Sequence, residues 1–320
     1  MKKLLLACIL AAFALVAAAC GASDDKDNSS GKKADNNKET EEISIKHELD
    51  KKEVKVKKNP KTVAVFDFGV LDSLDKLGVD VAGVPQKVVP PYLKKYEDKK
   101  YTNIGSLKEP DFDELSELNP DVIFISGRQA SLYDQLSEIA PTVYLDIDPT
   151  KYMESFKDNM NTIGKIFGKE DQVKEQLASI DKQIDTTKKD AEKFDGKSLI
   201  VLANDNKISA YGQNSRFGFI HDVLGVKPAD DKIEASTHGM NVSFEYVKEK
   251  NPDILYVVDR STAVGEGKPA KQVVENDLVK STNAYKNGKI IYLDPYNWYL
   301  SGGGLESVPK MIDEIAKSLK

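Results

Sequence analysis

Arginine, histidine and cysteine are scarce in this 320-residue chain, and each scarcity excludes something. The three histidines, His47, His221 and His238, never stand four apart on a helix or beside a cysteine, so no zinc-type cluster is written into the sequence. No nucleophile elbow and no phosphate-loop lysine motif is present either. No convincing catalytic constellation remains, and nothing calls for a cofactor. Of the 46 basic side chains 43 are lysine, and only Arg128, Arg216 and Arg260 are arginine. Lysine is a mobile, strongly hydrated point charge, whereas arginine is a planar fork that matches oxyanions bidentately. A chain that uses lysine nearly everywhere and arginine at three segment exits needs the guanidinium at those places.

The two cysteines, Cys8 and Cys20, both lie near the N-terminus. Lys2 and Lys3 form a basic n-region and Leu4 to Val16 an apolar h-region. Ala17-Ala18-Ala19 then precedes Cys20, a pattern that reads as a secretory signal over residues 1–19 and is too short for a stable membrane span. A cysteine directly after three small residues resembles a lipobox, which implies diacylglyceryl attachment at Cys20. Once Cys8 leaves with the signal, an internal disulfide is impossible, and the remaining thiol is expected as an anchor. Residues 20–42 contain almost nothing apolar and read as a disordered tether. The processed chain has 44 basic against 52 acidic side chains, about −8. That acidity argues against nucleic acid, and an anionic ligand would need a local positive cluster.

Two of the arginines share one place in an internal repeat. FDELSELNPDVIFISGR (Phe112 to Arg128) aligns without gaps to FEYVKEKNPDILYVVDR (Phe244 to Arg260), 132 residues later. Each copy opens on a cap position, Asp111 or Ser243, and two residues further on carries an acid, Asp113 or Glu245. An acid in a first helical turn complements the helix dipole by ~0.3–1 kcal/mol, which is sufficient reason for it to be there.

Short β-branched runs alternate with helical stretches. Val63–Asp67, Asp121–Ser126, Thr142–Asp146, Ser198–Asn204, Asp253–Asp259 and Lys289–Asp294 suit strands buried on both faces of a mainly parallel sheet. Helices are expected over Gly69–Leu77, Asp111–Leu118, Ala130–Ile139, Arg216–Leu224, Ser243–Lys250 and Gly304–Leu319. This alternation predicts α/β lobes. Between Thr150 and Phe194 no strand is expected. After a break at Gly168, Val173, Leu177, Ile180, Ile184, Thr187, Ala191 and Phe194 form one apolar stripe on a charged helix that would reach roughly 39 Å, enough to bridge two lobes. The glycine run Ser301–Gly304 is expected to open the last helix. His238 falls in the loop STHGMNVS, and Tyr292, Tyr296, Trp298 and Tyr299 crowd against the glycine run, where they suit a pocket for a flat aromatic ligand.

Taken with VFDFGVLDSLDKLGV, IGSLKEPDFDEL, ISGRQ, NSRFGFIHDVLGV, STHG, VVDRSTA and WYLSGGGLES, these features make the chain resemble the class III solute-binding lipoproteins of ABC importers from about Ile43 onward. More narrowly, it resembles the catecholate-siderophore receptors of the petrobactin-binding kind. The resemblance implies two Rossmann-like lobes, 43–167 and 195–320, joined by one long bridging helix over 168–194. It implies capture of a ferric siderophore by Arg128, Arg216 and Arg260, with Lys108 as a fourth basic contact and Trp298 and Tyr299 in the pocket. His238 and Tyr299 would reach iron when a tetradentate siderophore leaves two coordination sites open. Asp113 and Glu245 match the acids that dock on the permease, which works with its ATPase. A lipid-anchored monomer on the extracellular face of a Gram-positive-type membrane is the expected setting. Receptors for ferric citrate or haem share that fold. A lipid-anchored surface hydrolase would need an activated nucleophile or a metal site.

Overall fold

The apolar runs build two five-stranded sheets in a computed structural model that describes residues 41–320. The expected signal peptide, Cys20 and the expected tether up to residue 40 lie outside the described residues. The tether was expected to run through Glu42, but that residue opens strand β1 (Glu42–Ile45), paired antiparallel with β2 (Val54–Lys57). The first sheet comprises β3 (Val63–Val65), β4 (Gly83–Val84), β5 (Thr102–Asn103), β6 (Val122–Ile125) and β7 (Thr142–Tyr144). They lie in the order β5-β4-β3-β6-β7, all parallel. Helices α1 (Phe68–Lys76), α2 (Phe112–Leu118) and α3 (Tyr133–Ile139) connect them, and α4 (Tyr152–Phe167) leads out of the lobe.

Gly168 ends α4 in the left-handed conformation, φ 61°. Helix α5 (Glu170–Lys193) follows, and the residues it buries are the predicted stripe from Val173 to Ala191. Its flanks are charged, so packing of that one stripe holds it in place.

The second sheet comprises β8 (Ser198–Asn204), β9 (Lys207–Tyr211), β10 (Met240–Val242), β11 (Ile254–Asp259) and β12 (Ile290–Leu293), in the order β10-β9-β8-β11-β12. Strands β8, β11 and β12 pair in parallel, and β9 pairs antiparallel with both β8 and β10, so β9 alone runs against the other four strands of an otherwise parallel sheet. Strand β9 turns back from β8 through Asp205, which takes φ 53°, and the segment expected as a loop around His238 supplies β10. Helices α6 (Phe219–Asp222), α7 (Phe244–Lys250), α8 (Arg260–Val264), α9 (Ala270–Val274), α10 (Asp277–Lys280), α11 (Asn283–Lys286) and α12 (Ser307–Ser318) complete the lobe. Arg216, expected inside a helix, sits in the turn before α6, and the glycine run precedes α12 without opening it.

The repeat is explained by both lobes. Asn119 and Asn251 stop α2 and α7 in the left-handed conformation, and the buried prolines Pro120 and Pro252 prevent continuation. Asp121 then accepts from the N–H groups of Lys61 and Thr62 just before β3, and Asp253 from that of Lys197 just before β8. The Asn-Pro-Asp triplet thus ties each helix end to the entry of the neighbouring strand.

Candidate functional site

In a parallel sheet, ligands bind where neighbouring strands send their connections to opposite sides. The two strand orders put that point between β3 and β6 in one lobe and between β8 and β11 in the other. Arg128 follows β6 by three residues, and Arg260 follows β11 directly, so the repeat delivers one arginine to each switch point. Arg216 arrives from the turn after β9. There Asn214 has φ 55°, its N–H is held by Asp222 at 2.6 Å, and Phe217 is buried as an anchor.

All three guanidiniums meet at Tyr299. Its main-chain carbonyl accepts from Arg128 Nη2 at 2.6 Å and from Arg216 Nη2 at 2.8 Å. Its hydroxyl accepts from Arg260 Nε at 3.1 Å, and Arg260 Nη1 donates to Asn204 Oδ1 at 2.8 Å. The Arg216 cation stands 4.3 Å from the Tyr299 ring centre, and those of Arg128 and Arg260 stand 5.9 Å away. Asp67 Oδ2 lies 4.0 Å from Arg128, while its Oδ1 caps α1. Among the described residues no carboxylate comes as close to Arg216 or Arg260. The cluster therefore keeps a net positive charge inside an acidic protein.

The electrostatics follow from crowding and burial. Desolvation, then the neighbouring Arg128, pushes the Arg216 guanidinium below its ordinary pKa. Burial pushes the Tyr299 phenol up, but Arg216, Arg260 and Arg128 outweigh it and leave the group below the usual phenol range. Burial raises the Asp67 carboxyl against the opposing pull of Arg128.

A cleft of about 560 Å³ and an adjoining one of about 230 Å³ share Arg216, His238, Arg260 and Tyr299. Arg128 and Lys108 line the larger one. Lys108 and His238 are exposed side chains there. Trp298 contributes to the wall of the larger cleft but is 3% exposed, with its indole N–H donated to Glu314 at 2.7 Å. The expected aromatic group does not assemble, because Tyr292 turns to Glu275 and Tyr296 packs against the core. Asp113 and Glu245 are exposed in the first turns of α2 and α7, away from the residues that line the clefts. Asp111 caps α2 through its side chain, but Ser243 makes no such bond to α7. Its hydroxyl serves Glu245 instead and holds that carboxyl below the usual range.

Sequence reasoning missed Asp67 and Asn204, which position Arg128 and Arg260. The signal that finds them is topological: each stands at the exit of the strand paired with the one that carries the repeat arginine.

Two α/β lobes with a cationic cleft at their carboxyl edges define a bilobal solute-binding protein. The chain belongs to the periplasmic binding protein family, which matches residues 63–297. It is 56% identical to the petrobactin-binding protein YclQ of Bacillus subtilis over the whole of both chains. The crystal structure of YclQ superposes with a TM-score of 0.86 over 88% of this chain and 99% of that one, at 60% identity. The ferric-anguibactin-binding protein FatB of Vibrio anguillarum is 36% identical over 86% of this chain and 87% of its own. The periplasmic catecholate-siderophore binding protein VctP of Vibrio cholerae superposes with a TM-score of 0.81 at 34% identity, covering 86% of this chain and 99% of that one.

Proposed function

We propose that this protein captures ferric petrobactin or a related ferric catecholate in the arginine cleft and delivers it to the permease and ATPase of an ABC importer. The observation that carries the reading is the convergence of three guanidiniums, two of them without a carboxylate in contact, on one cavity. The names of YclQ, FatB and VctP support it. A ferric ion wrapped by two catecholates and a hydroxycarboxylate carries about three negative charges, which three arginines match; an uncharged ferric hydroxamate would leave buried cations unpaired. With a tetradentate chelate, His238 and Tyr299 are the candidates to fill the two open iron positions, since both line the same cavity and imidazole and phenolate suit ferric iron. Asp113 and Glu245 act in docking and Cys20 in lipid anchoring on the extracellular face, with the protein working as a monomer. We place the lobe boundaries at α5.

Titration of the mature protein with ferric petrobactin, other ferric catecholates and ferric citrate, read by quenching of Trp298, tests this. Tight binding of the catecholates is expected. Preference for ferric citrate would move the protein to that substrate, and indifference to every iron chelate would end the reading.

A further inference from the structure

Three converging cations need oxygen acceptors, because a buried guanidinium left without one is costly. Three carboxylates would supply them but would cancel the charge that an anionic ligand requires. Tyr299 supplies neutral oxygens instead. Its carbonyl is available because it lies at the end of the π-helical turn Tyr296–Leu300, where the last carbonyls lack intrahelical donors. Ser301, at φ −128°, takes the chain out of the helical conformation, so no further turn supplies an N–H to that carbonyl. The same helix end is the one that favours cations.

The two oxygens of Tyr299 differ in kind. The carbonyl belongs to the backbone and holds Arg128 and Arg216 together at 2.6 and 2.8 Å. The hydroxyl belongs to a side chain that can turn, and at 3.1 Å it makes the longest of the three contacts. Arg260 lines both clefts, and with Asn204 on its Nη1 the edge left for a ligand is Nη2 together with Nε, which the Tyr299 hydroxyl now holds. That edge binds two oxygens of one ligand side by side.

We propose that Tyr299 is the positioning residue of the arginine cluster and that its hydroxyl is a placeholder, exchanged on Arg260 for an oxygen of the incoming chelate while its carbonyl keeps Arg128 and Arg216 in place. A charged acceptor bonds a guanidinium roughly twice as strongly as a neutral one, so the exchange runs toward the ligand. The proposal rests on the anionic-chelate reading of the cleft.

Arginine scarcity supplies the test. Isotope labelling at arginine gives three Nε–H signals, which single arginine-to-lysine variants assign. Wild type and Tyr299→Phe are compared alone and with a gallium(III) tris-catecholate, a diamagnetic stand-in for the ferric complex. The Arg260 signal is expected to differ between the two proteins when alone and to coincide when the chelate is bound. A difference that persists in the complex would show that the hydroxyl stays on Arg260 and overturns the exchange. Coincident signals in the two proteins alone would remove the contact itself. If no arginine signal moves on adding chelate to either protein, the binding reading fails and the exchange fails with it.

Discussion

Arg216 is the arginine that tests the site most directly, because it is half-buried, stacked on Tyr299 and, among the described residues, without a carboxylate in contact. Arg216→Ala is expected to weaken ferric-catecholate binding by ~2 kcal/mol or more, the usual loss when one partner of a buried charge pair is removed. Arg216→Lys should recover only part of this, since a point charge cannot serve both a ring face and an oxygen pair. Wild-type affinity in the alanine variant would take Arg216 out of the site. At this scale the sequence was informative where residue choice departs from habit. Three arginines among 43 lysines mark the cluster, but Asn204 and Asp67 are ordinary residues in a chain rich in both types. Only the pairing of their strands with the arginine-bearing strands reveals what they do. Trp298 does line the larger cleft, but its rarity could not show that its N–H is given to Glu314.

Elements carry two further predictions. Helices α2 and α7 present Asp113 and Glu245 at equivalent places in the repeat, exposed and apart from the cleft lining. Reversing both charges should leave ligand titrations unchanged while cellular iron uptake collapses; uptake at the normal rate would leave only the helix-dipole role. The second prediction concerns the seam between α1 and α12. Asp72 of α1 is buried and accepts from the N–H groups of Glu306 and Ser307 and from the Tyr92 hydroxyl. A side chain at Gly304 would collide with this carboxylate, so glycine is required there. Burial, against the pull of those donors, pushes the Asp72 pKa from the usual carboxylate range up to about 7. The folded state therefore binds this proton more tightly than the unfolded chain, so the group stabilises at low pH and loses that stabilisation as pH rises through about 7. Denaturant unfolding of wild type and Asp72→Asn between pH 4 and 8 should show a stability difference that changes by up to ~1.4 kcal/mol per pH unit, favouring the variant at the alkaline end. A difference that does not vary with pH would mean that Asp72 does not titrate in this window. Element types were legible from the β-branched runs and the stripe on α5. Strands β4, β5 and β10 were not, because unlike the equally short β3 and β7 they do not sit in a longer β-branched apolar run. Strand β9 was hidden by its polar edges, and the turn at Asp205 was its one signal.

At the scale of the whole molecule, the two sheets do not have wholly separate interiors. One hydrophobic core takes in Val65 and Phe124 from the first sheet, Val173 and Ile180 from α5, and Ile200 and Tyr256 from the second. The described residues form one compact unit, in which α5 packs on both α4 and α12. The sequence predicted a bridge from the spacing of the stripe, but a stripe does not reveal what it faces. The shared core implies that the lobes unfold together. Ile180 is 1% exposed at the middle of α5, and Ile180→Ala should cost about 2–5 kcal/mol through the cavity it leaves. If α5 joins the two cores into one cooperative unit, amide exchange should accelerate in β6 and β11 alike and denaturant should produce a single transition. Faster exchange confined to one sheet would assign α5 to that lobe alone. The other lobe would then keep its stability, and closure over the ligand would become a hinge motion between independent bodies.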